Sequence, residues 1–215
     1  MTGPRAALDA VLARGLADDA IEHARQVAAI AAALYAAFEA AGLRCTLVGG
    51  SAIEVHAPGV LKTGDVDVVI EASHLADARA RIGAVFDTLG FERAGRHWRR
   101  GDLFVEVPGL SMEDPDELVR VGPHVFRVIA KEAVLADRIV GFKHWRYTGY
   151  GEQAIEMLAA FGDDLRLDWL LPKLQREGAV DAFQALSAIA RSAEPVTEES
   201  LQALIGQLHR RPGGG

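Results

Sequence analysis

The stretch that decides the fold is Val48 to Ile70, VGGSAIEVHAPGVLKTGDVDVVI. It starts at the end of a short apolar run, residues 45–48, and it closes inside a run rich in β-branched residues, 65–72. Both runs are typical of strands, and residues 51–56 between them allow one or two helical turns. The expected local order is therefore a strand, a glycine turn, a short helix and a second strand.

Gly49, Gly50 and Ser51 form a turn of a kind that suits phosphate binding. A phosphate group can approach a glycine backbone closely, and the free N–H groups at the start of a helix attract anions. A glycine pair before a helix is, by itself, more often only a turn. The phosphate interpretation therefore depends on the acidic residues that follow.

Asp65 and Asp67 stand two residues apart at the start of the second strand. Alternate residues of a strand point the same way, so both carboxylates face one side of the sheet. Two hard oxygen ligands side by side suit Mg²⁺, although such a pair can also be a solvated strand edge. Glu106 alternates with valines on a later strand and can meet the pair if the strands are neighbours. Asp102 is the alternative third acid.

The glycine turn, the acidic pair and the third acid, in this order, resemble the nucleotidyltransferase superfamily that includes DNA polymerase beta. The resemblance implies an α/β (α+β) fold, with a mixed sheet flanked by helices and further helices at both ends. It implies transfer of a nucleoside monophosphate from a nucleoside triphosphate (NTP) to an acceptor hydroxyl. It also implies two Mg²⁺ ions, held by Asp65, Asp67 and Glu106, with Glu106 helping to deprotonate the acceptor.

The same resemblance assigns the binding of the triphosphate. Gly49, Gly50 and Ser51 would hold the terminal phosphates. Thr63 is similar to a threonine found in small bacterial members, and Lys62 beside it could reach a phosphate or remain an exposed loop residue. Lys143 is a further candidate for triphosphate contact, although cations at a helix end also suit the helix dipole.

Residues 130–143 and the helices after them look like the segment that follows the core in bacterial toxin-type nucleotidyltransferases. This likeness implies tRNA or a protein as acceptor, and an antitoxin as partner. An antibiotic-modifying enzyme is the alternative, and a non-catalytic nucleotide-binding or antitoxin-like protein is a third. A basic cluster surrounds Trp98 and consists of Arg93, Arg96, His97, Arg99 and Arg100. It favours an RNA acceptor if it forms a binding surface, but a solvated hairpin explains it equally well.

The rest of the chain divides by its periodicity. Residues 4–41 look helical throughout, 75–90 fit a helix, 91–100 and 103–107 fit a hairpin pair of strands, and 124–129 fit a strand. Four further helices are expected at 151–161, 165–176, 178–191 and 197–209. We expect N-terminal helices over 1–42, a nucleotidyltransferase core over 43–130, and a C-terminal helical region over 131–215 packed on the core.

Composition sets limits on the class of protein. The 215 residues include 23 basic and 30 acidic side chains, a net charge of −7 that disfavours a general nucleic-acid binder. The single cysteine, Cys45, excludes an internal disulfide and lies on an apolar strand, which favours a buried thiol. The apolar run 27–38 is shorter than the roughly 20 residues of a membrane span. We therefore expect a cytoplasmic protein that does not enter membranes.

Overall fold

The computed structural model describes residues 3–72, 75–192 and 195–210. The chain divides into two compact units, residues 1–130 and 131–215. The first unit is mixed α/β, and the described part of the second unit is helical. The predicted division of the first unit at residue 42 stays a prediction.

The first unit is built around one mixed sheet. Seven strands of the described residues form it, in the order β3-β4-β5-β2-β1-β7-β6. The elements are α1 (Pro4–Leu12), α2 (Ala20–Ala40), β1 (Arg44–Leu47), α3 (Gly49–His56), β2 (Val66–Glu71), α4 (Leu75–Leu89), β3 (Glu92–Ala94), β4 (His97–Arg100), β5 (Leu103–Glu106), β6 (Asp116–Val121) and β7 (His124–Ile129). This mixed sheet with its helices confirms the predicted fold class.

The strand directions place the acidic residues side by side. β1 runs antiparallel to β2 and parallel to β7, and β2 runs parallel to β5. The parallel register pairs Asp67 with Glu106, and the antiparallel pairing of β4 with β5 puts His97 opposite Glu106. Directly opposed residues on neighbouring strands point to the same face. Asp67, Glu106 and His97 therefore lie side by side on one face of the sheet.

Helix α2 supplies much of the apolar packing against this sheet. Its apolar stripe is buried, with Val27, Ile30, Leu34 and Phe38 at 0–2% exposure. The Phe38 ring meets Phe86 of α4 edge to face, with ring centroids 5.2 Å apart. In the described residues, none of the helices combines the length and the apolar content that crossing a bilayer requires.

Cys45 lies within β1 and is buried, as predicted. Burial disfavours the thiolate and raises the pKa of the thiol well above its ordinary value. A buried thiol of this kind packs as a small apolar side chain, and it is a poor nucleophile.

Two predictions about secondary structure are wrong in detail, and one strand was missed. The helix expected over 4–41 is interrupted, because α1 ends at Leu12 and α2 starts only after Asp19, whose side chain caps it by accepting from the Glu22 N–H at 2.9 Å. The run 91–100 is itself a hairpin, since Gly95 adopts a positive φ of 63° between β3 and β4. Strand β6 was not predicted at all, and its side chains are mostly half-exposed or exposed.

The second unit consists, in its described part, of α5 (Lys131–Trp145), α6 (Thr148–Phe161), α7 (Leu167–Arg176), α8 (Val180–Arg191) and α9 (Glu198–Leu208). The predicted helix ranges are confirmed to within three residues. The buried carboxylate of Glu132 accepts from the Arg166 backbone N–H at 3.0 Å and from its guanidinium at 2.8 Å. Burial acts to raise the pKa of Glu132, but these hydrogen bonds and the Arg166 charge outweigh it and hold the pKa below its ordinary value.

Candidate active site

The glycine turn lies directly against the acidic strand. Gly49 has a φ of 62°, a left-handed conformation that disfavours side chains. A Cβ at Gly49 would collide with the Asp67 carboxylate, and a Cβ at Gly50 would collide with the Thr63 methyl group. The two glycines are therefore required for close packing within the protein, in addition to any phosphate that the sequence predicts there.

Ser51 connects this turn to the backbone of the acidic pair. Its side chain is fully buried. The hydroxyl donates to the Asp65 carbonyl at 3.0 Å and accepts from the Asp67 N–H at 3.1 Å. These bonds bracket Val66 and fix the point at which β2 begins. The structure thus engages the hydroxyl in positioning the acidic pair, whereas the sequence predicts that it holds a phosphate.

The carboxylates of Asp65 and Glu106 come together on one face of the sheet. Together with His97 they offer three ligand atoms that lie within 4.8 Å of one another. Asp67 is paired with Glu106 in the register of the two strands, but it is not one of the three residues of this group. Asp102 lies in the turn before β5, three residues before Val105 and outside this group. Of the two candidates for a third acid, Glu106 is the one that the fold brings to Asp65.

His97 belongs to this cluster, whereas the sequence pattern indicates it only as one of the basic residues around Trp98. Its Nε2 lies 3.4 Å from Asp65 Oδ2 and 3.4 Å from Glu106 Oε2. A signal was available, because a two-residue turn at Gly101 and Asp102 pairs residue 97 with residue 106 by simple counting. The exposed Arg96 also lies beside Glu106, with Nε 3.5 Å from Oε2.

No protein-family model matches the sequence, and neither does any curated protein. Among solved structures, the chain is similar to an antigenic nucleotidyltransferase-like protein from Paracoccidioides brasiliensis. The TM-score is 0.54 at 15% identity, over 76% of this chain and 93% of that one. The fold is that of a nucleotidyltransferase.

Two structures of the antibiotic-resistance factor ANT(2'')-Ia align less well. Its solution structure gives a TM-score of 0.48 at 18% identity, over 75% of this chain and 97% of that one. Its complex with adenylyl-2''-tobramycin gives a TM-score of 0.41 at 17% identity, over 86% of this chain and 99% of that one. Because both scores lie below 0.5, the fold assignment rests on the Paracoccidioides structure alone.

In this nucleotidyltransferase fold, a buried polar chain supports the loop that leads to Asp65. The carboxylate of Glu54, on α3, lies 2.5 Å from His23 Nδ1, on α2. It also accepts from the Thr63 N–H at 2.7 Å and from the Thr63 hydroxyl at 2.5 Å. His23 and Glu54 are both buried. These contacts of Glu54 therefore hold Thr63 in place, two residues before the first aspartate. They give the predicted residue Thr63 a structural role.

The sequence pattern also indicates that His23 and Glu54 lie on buried helix faces. His23 continues the apolar stripe of α2, because it precedes Val27 by four residues and Ile30 by seven. Glu54 follows Ser51 by three residues, so the two lie on the same face of α3. A histidine and a glutamate on buried helix faces need partners, and here they are partners of each other.

The two predicted lysines have partners within the protein. Lys62 Nζ lies 3.4 Å from Asp18 Oδ1, and both side chains are well exposed. Lys143, in the second unit, lies 2.6 Å from Asp181 Oδ1 and donates to the Gly178 carbonyl at 2.6 Å. Burial acts to raise the pKa of Asp181, but the hydrogen bonds from Lys143 and from the Ala182 N–H, together with the Lys143 charge, outweigh it and the pKa is lowered. Triphosphate contact by Lys62 or Lys143 stays a prediction.

The basic cluster around Trp98 is engaged within the protein. The Trp98 ring stacks on Phe86, with centroids 4.5 Å apart and an interplanar angle of 14°. The Arg93 guanidinium lies 5.1 Å from the Trp98 ring centroid, and Arg100 forms an ion pair with Asp9. A ring held in this way is a poor platform for a nucleic-acid base. The geometry therefore favours a structural role for the aromatic part of this cluster.

Proposed function

We propose that the chain is a divalent-metal-dependent nucleotidyltransferase that moves a nucleoside monophosphate from an NTP to an acceptor hydroxyl. One observation carries the proposal: the carboxylates of Asp65 and Glu106 converge on a sheet face that Asp67 shares, directly beside the Gly49–Ser51 turn. This arrangement lies in a nucleotidyltransferase fold. Residues far apart in the chain thereby provide both a cation site and a phosphate site at one place.

The donor atoms of the cluster fit a divalent cation. The Asp65 and Glu106 side chains are 31% and 20% exposed, so an ion and substrate oxygens can reach them. Carboxylate oxygens are the ligands that Mg²⁺ prefers. In our proposal Asp65, Asp67 and Glu106 hold Mg²⁺, with two ions expected. Bound cations would neutralise the phosphate charge and stabilise the attacking and leaving oxygens.

The chain's own groups then position the reactants. The first N–H groups of α3 lack intrahelical partners, and we propose that those of Gly49 and Gly50 bind the terminal phosphates. The acceptor oxygen forms a bond to the α-phosphorus, the bond from that phosphorus to the β-phosphate oxygen breaks, and pyrophosphate leaves. The Glu106 carboxylate takes the acceptor's proton. Most of the rate enhancement would come from positioning and electrostatic stabilisation.

For the acceptor, we propose tRNA or a protein, in a toxin–antitoxin setting. The likeness of residues 130–143 to toxin-type enzymes is the support for this choice. The engaged ring of Trp98 provides no aromatic platform for RNA, so a protein acceptor is at least as well supported. An aminoglycoside or lincosamide is the competing acceptor, and nucleotide binding without transfer is the non-catalytic alternative.

The test is label transfer from each of the four NTPs, labelled at the α-phosphate, with Mg²⁺ and with tRNA, protein and drug acceptors in turn. We expect one acceptor to become labelled and the double variant Asp65→Ala, Asp67→Ala to lose the activity. Asp87→Asn is the matched control, because Asp87 is an exposed carboxylate on α4. Equal labelling by the double variant, or nucleotide binding with no labelled acceptor, would contradict a catalytic role.

A further inference from the structure

His97 sits on the same sheet face as the carboxylates. It lies on β4 directly opposite Glu106 of β5, and opposed residues of an antiparallel pair point to the same face. The Phe104 ring packs edge-on against the imidazole, with centroids 6.0 Å apart. The His97 side chain is 23% exposed, which leaves the ring partly open to solvent. The imidazole is thus held beside the carboxylates and remains accessible.

The distances from His97 to the two carboxylates fit ligands of a shared ion better than they fit hydrogen bonds. Nε2 lies 3.4 Å from one oxygen of Asp65 and 3.4 Å from one oxygen of Glu106. Good N–H···O bonds measure about 2.7–3.2 Å, and a single N–H cannot align with two separate oxygens. Ligands bound about 2.1 Å from a tetrahedrally coordinated cation are separated by about 3.4 Å. Both distances from Nε2 therefore match the spacing of ligands of one ion, and the two carboxylate oxygens lie within 4.8 Å of each other.

We infer that His97 Nε2 is a ligand of the cation at Asp65 and Glu106, and that the site accordingly prefers a transition-metal dication of the Co²⁺ or Zn²⁺ class over Mg²⁺. The inference rests on the metal site of the proposed function and names the ion class that this site takes. Imidazole suits the later first-row transition-metal ions, whereas Mg²⁺ is bound mainly by oxygen and retains its waters. A set of two carboxylates and one imidazole is consequently a poor match for Mg²⁺ alone.

The test compares metal binding by the full chain and by His97→Gln. Mn²⁺ and Mg²⁺ affinities are measured by calorimetry, and Co²⁺ binding is measured by its visible absorption. We expect His97→Gln to weaken Co²⁺ binding at least about tenfold, since even the loss of an outer-shell partner of a metal ligand has an effect of that size. The loss should be smaller for Mn²⁺, which is better suited to oxygen ligands. Mg²⁺ binding should change less than about threefold, because oxygen ligands dominate it.

His124→Gln is the matched control. His124 is a half-exposed histidine at the β6–β7 turn, outside the Asp65 cluster. The His124→Gln variant should bind Mn²⁺, Co²⁺ and Mg²⁺ as the parent does. A second measurement does not depend on any variant folding: pulsed electron paramagnetic resonance of the parent loaded with Mn²⁺ should detect an imidazole nitrogen bonded directly to the ion.

The outcomes separate this inference from the proposed function. If no nitrogen couples to Mn²⁺, or if His97→Gln binds every ion as the parent does, His97 is not a ligand and the inference falls. The proposed function would survive that result provided that Asp65→Asn still abolishes metal binding. If the parent chain binds none of the three ions, both the inference and the proposed metal site fall.

Discussion

Replacing Ser51 by alanine removes the hydroxyl that fixes the start of β2. The hydroxyl makes two hydrogen bonds, to the Asp65 carbonyl and from the Asp67 N–H. Each is worth about 0.5–1.5 kcal/mol, and leaving a buried partner unsatisfied adds to the loss. Alanine favours the helical position by about 0.5 kcal/mol. We therefore expect Ser51→Ala to lower the free energy of unfolding by about 2 kcal/mol.

The assay is urea unfolding followed by tryptophan fluorescence. Trp98 lies in the first unit with Ser51, while Trp145 and Trp169 lie in the second. A background carrying Trp145→Phe and Trp169→Phe makes the signal report the unit that contains the site. This matters because a single unfolding energy is not well defined for a chain with two units.

The control for this measurement is Ser111→Ala in the same background. Ser111 is an exposed serine of the loop between β5 and β6, so its loss should change stability by less than about 0.5 kcal/mol. If Ser51→Ala were as stable as Ser111→Ala, the hydroxyl would not hold the acidic strand. The argument that Ser51 positions Asp65 and Asp67 would then be refuted.

Two further predictions concern the glycine turn and the second unit. Gly49→Ala should lower any transfer activity about 100-fold, because the new methyl group displaces the Asp67 carboxylate. Gly59→Ala is the control and should retain the activity, since Gly59 also has a positive φ, of 99°, but has open space around it. Equal activities of the two variants would contradict the close packing at Gly49. Glu132→Gln should destabilise the second unit by about 1 kcal/mol at neutral pH, since it weakens charge-assisted bonds from Arg166. The pKa of Glu132 is lowered in the folded protein, so its stabilising effect is fully present above the unfolded pKa of about 4.3 and is lost as the pH falls through the folded pKa. A stability difference between Glu132→Gln and the parent that persisted at low pH would contradict this assignment.

The sequence predicts the part of the site that depends on local order. The turn at Gly49, the strand that follows Asp65 and the apolar stripe of α2 are all set by short-range pattern, and each is found in the structure. The sequence indicates Glu106 because it stands between Val105 and Val107 in a strand-like run. These features need only the periods of strands and helices.

The missed features depend on long-range pairing. His97 enters the site only through the register of β4 against β5, and the bond between His23 and Glu54 joins residues 31 apart. Strand β6 is an edge strand with few buried side chains, and it is anchored by Asp116, which accepts from the Thr46 hydroxyl at 2.9 Å. Local periodicity places His23 and Glu54 on buried helix faces, but it does not show which residues become partners across the fold.

The most direct test of the central claim is the binding of α,β-methylene analogues of ATP, GTP, CTP and UTP, measured by calorimetry with Mn²⁺ or Mg²⁺ present. It requires no knowledge of the acceptor. We predict that one analogue binds only with the metal, that Asp67→Asn and Glu106→Gln weaken it at least about tenfold, and that Asp102→Asn binds as the parent does. Metal-independent binding, or equal binding by Asp67→Asn, would contradict the assignment of this cluster as the nucleotide site.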